Sequence, residues 1–67
     1  SEEAYMASKF ELFKDKKGEF RWRLVASNGQ TIADSGEGYT THANAINGIE
    51  SVKKNAPVAA IVDLSQT

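Results

Sequence analysis

Arg21-Trp22-Arg23 concentrates more hydrogen-bonding and stacking capacity than any other triplet in the chain. A guanidinium offers a rigid fork of donors that matches a carboxylate or phosphate, and it stacks on aromatic rings and bases. In an extended strand neighbouring side chains point to opposite faces, so Arg21 and Arg23 share one face and Trp22 takes the other. Phe13, Val25 and Ile32 fall on the arginine face. The candidate binding surface is therefore Arg21, Arg23, Phe13 and Val25, with Tyr39 either lining a groove beside it or anchoring a turn against the sheet. For Tyr39 packing is favoured, since an aromatic before the helix of a small domain has much apolar area to bury. A simpler account competes with binding for the arginines: they neutralise Glu11 and Asp34 across the strands on a solvated face. It is the favoured one, because both acids are in reach without further assumption.

The remaining chemistry-bearing residues form no catalytic group. Gly36-Glu37-Gly38 ahead of a helix resembles a phosphate cradle, whose glycines free backbone N–H groups for an anion. Glu37 inside it would repel a phosphate, and a turn that leaves a strand and enters a helix accounts for both glycines. His42 is the only histidine and there is no cysteine, so a metal site of the usual kind lacks its ligands. No nucleophile is placed for His42 to activate. Glu11, Asp34 and Glu37 are candidates for an acid/base pair, but two of them face arginines, and ion pairing explains those without catalysis. No enzyme activity, metal or cofactor is expected.

Four elements position these side chains. Residues 9–14 read as a strand with Phe10 and Leu12 on one face and Glu11 and Phe13 on the other. Asp15-Lys16-Lys17-Gly18 turns the chain into a second strand, 19–26, with Phe20, Trp22 and Leu24 on the first face. Asn28-Gly29 fits both central positions of a type I′ turn into a third strand. With those two as the loop, Ser27 faces Gln30, Val25 faces Ile32, Leu24 faces Ala33 and Arg23 faces Asp34, while Glu11 falls beside Arg21 or Arg23.

Thr40 or Thr41 then caps a helix that runs to about Asn55. On a helical wheel Ala45, Ile46, Ile49, Val52 and Ala56 form one stripe, which packs on the Trp22 face. Glu50 and Lys54 stand as an i, i+4 pair, Lys53 and Lys54 complement the C-terminus, and Asn55-Ala56-Pro57 ends the helix. Val58 to Leu64 reads as a fourth strand, rich in valine and isoleucine and uncharged before Asp63. Nothing protects it as an edge strand is usually protected, so it is expected to pair inside a larger sheet. The short proline-stiffened link before it suits a strand that crosses to a second copy.

Composition sets the class: 67 residues, 40% hydrophobic and 25% charged, make one small globular domain. Residues 1–8 read as a flexible leader, 9–64 as the domain and 65–67 as a tail. The leader lacks the basic and apolar regions of a signal peptide, and no apolar run approaches the ~18 to 20 residues that cross a bilayer. A cytoplasmic location is the expectation, with no membrane partner. Beyond Glu2 and Glu3 the basic and acidic side chains nearly cancel, which disfavours a nucleic-acid module dependent on phosphate contacts.

FELFKDKKGEFRWRL, ASNGQTIADSGEGY and NAINGIESVKKNAP together resemble the YegP-like family of short bacterial domains of unknown function. The resemblance covers about Lys9 to Asp63. It implies an α+β fold, a β-β-β-α-β unit with one helix on one face of an antiparallel sheet, present as a tandem repeat or as a single copy that dimerises. Two units then share one sheet and exchange C-terminal strands, which favours a homodimer here. The family supplies no catalytic or binding residues to carry over. The functional expectation is a non-enzymatic dimeric module that binds a protein or small ligand through the open sheet face. The alternative is nucleic-acid binding through Arg21 and Arg23.

Overall fold

The computed structural model describes residues 7–65. Most of the leader and the last two residues of the tail lie outside the described residues. Three strands, β1 (Lys9–Lys14), β2 (Phe20–Val25) and β3 (Thr31–Asp34), form an antiparallel sheet in the order β1-β2-β3, followed by α1 (His42–Asn55) and a 3-10 turn (Ala56–Val58).

Both hairpins use one device. In the first, the Gly18 amide donates to the Asp15 carbonyl and the Asp15 amide to the Glu19 carbonyl; in the second, Gly29 donates to Ala26 and Ala26 to Gln30. Gly18 and Gly29 carry φ of 85° and 91°, while no non-glycine residue has positive φ. Each loop is thus a type I turn closed by a left-handed glycine, three residues long. The expected type I′ turn at Asn28-Gly29 is corrected: Asn28 stays at negative φ, and its Oδ1 accepts from the Gln30 amide at 3.0 Å instead. The longer loop pairs Ala26 rather than Ser27 with Gln30. Leu24 faces Ala33 and Arg23 faces Asp34 as expected, but Val25 faces Thr31, so Ile32 is the extra residue of a β-bulge. Ile32 is 61% exposed.

The core is small: Trp22, Val25, Ala45 and Ile49 are its buried side chains among the described residues. Phe10 meets the Trp22 ring edge-on at 5.6 Å, and Leu12 lies opposite Trp22 in the ladder. α1 covers this face, chiefly over β2. Its N-terminus is held by Thr41, whose hydroxyl accepts from the Asn44 amide at 3.1 Å. Gly48 is closely covered. A Cβ there would lie 2.6 Å from Tyr39 Oη and 3.2 Å from Trp22 Nε1.

That docking narrows the expected helix stripe to Ala45 and Ile49, with Val52 half-buried; Ile46 and Ala56 are exposed. Glu50 meets Lys53 at 4.0 Å rather than Lys54. Within the single chain the fourth strand is also corrected. After the 3-10 turn, residues 59–64 enter no ladder. Val58, Ile61, Val62 and Leu64 are 73–97% exposed. No described helix is long and apolar enough to cross a membrane.

Candidate functional site on the open sheet face

The face of the sheet turned away from α1 carries the charged side chains. Pairing of β1 with β2 sets Glu11 opposite Arg23 and Phe13 opposite Arg21. Arg23 Nε donates to Glu11 Oε1 at 2.7 Å, and Lys9 Nζ lies 3.2 Å from the other oxygen of the same carboxylate. The Arg23 guanidinium sits 4.7 Å from the centre of the Phe13 ring, a cation over an aromatic face. Two cations thus share one acid here.

Arg21 has a different partner from either acid weighed in the sequence. Its Nε donates to Asp15 Oδ2 at 2.6 Å, while Asp15 Oδ1 accepts from the amides of Lys17 and Glu19. One carboxylate therefore holds both the turn and the arginine. The signal was present, since aspartate is favoured at the first position of a type I turn, but the second role needs the fold of the hairpin. Asp34, in register with Arg23, uses its Oδ1 to accept from Gly36 N at 3.1 Å.

These contacts lower two carboxyl groups. The Arg23 hydrogen bond, then the one from Lys9, holds Glu11 below its ordinary 4.5; the Arg21 hydrogen bond, then the Glu19 amide, holds Asp15 below 3.8. Asp15 in turn raises Arg21. A depressed carboxylate contributes stability that is complete above its unfolded pKa and is lost as pH falls through its folded pKa. The thermal midpoint should therefore hold from neutrality down to about pH 4.5 and fall below it. Asp15→Asn should shallow that acid limb, and equal slopes for the two proteins would remove Asp15 from the account.

Val25, on this face yet buried, floors a groove of about 450 Å³ at the end of the sheet where β1 begins and the second hairpin turns. Lys9, Glu11, Arg23, Ser27 and Thr31 stand around it. Of the surface expected from the sequence, Arg23 and Val25 line this groove, while Phe13 and Arg21 lie further along the same face. Lys9, Ser27 and Thr31 were not anticipated: the β1–β2 register sets Lys9 opposite Val25, and the bulge and the three-residue loop bring Ser27 and Thr31 beside it.

Tyr39 does not belong to this surface. It exchanges two 2.8 Å backbone hydrogen bonds with Phe20 and places its hydroxyl against Gly48 of α1. His42 meets the Phe20 ring edge-on at 5.6 Å, with Lys14 Nζ 5.0 Å from the ring centre. The Gly36 to Gly38 stretch is a turn. Gly36 has φ 73°, and a Cβ at Gly38 would stand 2.9 Å from Glu19 Cβ. Among the described residues no group of three His, Cys, Asp or Glu side chains could hold a metal ion.

A three-stranded antiparallel sheet backed by one helix, with a charged open face, defines a small α+β module. Residues 15–63 match the family described as domain of unknown function DUF1508, and the chain belongs to it. This is the family that the YegP-like segments pointed to. A UPF0339 protein of Treponema denticola is 56% identical over 59 residues, covering 88% of this chain and 100% of its own. One from the ptx operon 5′ region of Stutzerimonas stutzeri is 58% identical over 52 residues, covering 78% of this chain but 46% of that longer one. The solution structure of a protein from Haloferax volcanii is 51% identical, with TM-score 0.80 over 85% of this chain and 95% of its own. Protein ATU0232 of Agrobacterium tumefaciens is 52% identical, with TM-score 0.71 over 87% and 92%.

Proposed function

We propose that this chain is a non-enzymatic binding module that works as a homodimer. Val58 to Leu64 of each copy crosses to the other and adds a strand to its sheet, and the open face takes up a carboxylate-bearing protein segment or small ligand. The observation that carries the assembly is the exposure of Val58, Ile61, Val62 and Leu64 at 73–97% in a chain with only four buried core side chains among its described residues. Apolar surface of that extent on an unpaired segment is stabilised by an edge to pair with, and β3 offers one, its residues all exposed. The Stutzerimonas stutzeri relative, matched over 46% of its length, has room for a second unit in one chain.

On the open face the excess of Lys9 and Arg23 over Glu11 supports an anionic ligand. The carboxylates already paired with both arginines weigh against a run of phosphates, as does the near-neutral chain. Sedimentation at micromolar concentration tests the assembly: the expected mass is that of two copies, and Ile61→Glu with Val62→Glu should return it to one. A wild-type monomer would overturn the dimer. Chemical-shift mapping against acidic peptides and oligonucleotides tests the face. Perturbations at Lys9, Arg23 and Thr31, lost in Arg21→Ala with Arg23→Ala while the fold persists, are expected; tighter binding to the oligonucleotide would reverse the choice of ligand.

A further inference from the structure

The chain contains Asn-Gly twice, at Asn28-Gly29 and Asn47-Gly48. The structure treats the two in opposite ways. Asn28 and Gly29 are exposed at the tip of the second hairpin, and nothing lies within 4 Å of the position a Gly29 Cβ would occupy. Asn28 Oδ1 accepts from the Gln30 amide at 3.0 Å, which curls the carboxamide back over the Gly29 backbone. That hydrogen bond also polarises the side-chain carbonyl and is aimed at the oxygen on which negative charge grows when the carbon is attacked. The nearby nucleophile is the Gly29 backbone nitrogen. It is tied to Ala26 by a single 2.9 Å hydrogen bond in a solvent-exposed turn.

We propose that Asn28 is a site of spontaneous deamidation in the folded protein. The Gly29 nitrogen attacks Asn28 Cγ, a C–N bond forms, the Gly29 N–H proton is given up to solvent, and the side-chain nitrogen takes a proton and leaves as ammonia. Water then opens the five-membered imide at either carbonyl. Opening at one carbonyl yields aspartate and at the other isoaspartate, and the net change is amide plus water to carboxylic acid plus ammonia.

Asn47-Gly48 is protected by the same physics. It lies inside α1, where closing the imide ring requires a backbone rotation that breaks helical hydrogen bonds. Tyr39 Oη and Trp22 Nε1 already crowd Gly48.

The modification acts on the groove. Ser27 and Gly29 line it, so a new carboxylate at position 28 adds a negative charge between two of its lining residues. Aspartate keeps an acceptor for the Gln30 amide and preserves the turn. Isoaspartate puts an extra methylene into the main chain and breaks the pairing of Ala26 with Gln30, next to Val25 and Thr31.

The test is incubation of the full chain at neutral and mildly alkaline pH, followed by peptide mapping with mass spectrometry and an isoaspartate-specific methyl-transfer assay. Conversion at Asn28 with Asn47 intact in the folded protein, and conversion of both in urea, is expected. Equal persistence of the two asparagines in the folded chain would overturn the proposal. A preference for Asn28 that survives unchanged in urea would overturn its structural basis, by assigning the difference to sequence neighbours. Asn28→Ser keeps a turn-compatible acceptor and should abolish the signal; if the signal remains, it arises elsewhere.

Discussion

Trp22→Ala should leave the chain unfolded under conditions in which the parent melts cooperatively. Trp22 is 5% exposed and joins the two layers, with Phe10 edge-on from β1 and Gly48 of α1 closing over it. Replacing a buried tryptophan by alanine costs about 3 to 5 kcal/mol through lost burial and the cavity that remains. A domain of this length has roughly 3 to 10 kcal/mol in total, and the buried side chains that would have to compensate are Val25, Ala45 and Ile49. Trp22 Nε1 is buried with no hydrogen-bond partner among the described residues, so the substitution breaks no hydrogen bond and the relief of that unsatisfied donor offsets only part of the loss. Far-UV circular dichroism and thermal melting check this. A Trp22→Ala chain that keeps a cooperative transition would show that the core is organised around another residue.

Gly48→Ala should destabilise the protein although it replaces a poor helix former by the best one. Helix propensity alone predicts a gain of about 1 kcal/mol at an interior position. The new methyl, however, would sit 2.6 Å from Tyr39 Oη, 3.0 Å from Tyr39 Cζ and 3.2 Å from Trp22 Nε1. The phenol is held by the backbone bridge between Tyr39 and Phe20, and the indole by the core, so neither swings away freely. Overpacking of this kind costs about 1 to 3 kcal/mol, which outweighs the propensity gain over most of that range. Tyr39→Phe removes the nearest atom and should recover part of the loss, giving a double-mutant coupling that a propensity effect cannot produce. Urea denaturation of the four proteins provides the measurement. A stabilised Gly48→Ala would mean that α1 sits further from the sheet than its packing requires.

The two substitutions also separate what local pattern carries from what packing carries. The strands, the helix from His42 to Asn55 with its Thr41 cap, and the inward Trp22 follow from alternation, turn residues and helical spacing. These are properties of a few neighbouring residues and are expressed in the sequence directly. Gly48 was legible only as part of the helix, because a close approach is a property of two elements.

The candidate site was half legible for the same reason. Alternation placed Arg21, Arg23 and Phe13 on the open face, and cross-strand register placed Glu11 within reach of Arg23. The backbone of one loop decided the rest. Asn-Gly suits two hairpin turns, and the structure takes the three-residue one, in which Gly29 alone goes left-handed. That single extra loop residue moves Val25 opposite Thr31, expels Ile32 as a bulge and brings Ser27 and Thr31 to the groove, where the β1–β2 register has already set Lys9 opposite Val25. Asp15 was readable as a turn residue, but its grip on Arg21 depends on the hairpin folding back across the turn. Short-range periodicity thus determined which residues face which way. Which of them meet was decided by loop geometry and by how closely α1 settles on β2, since contacts between distant residues depend on the sum of all the backbone angles between them.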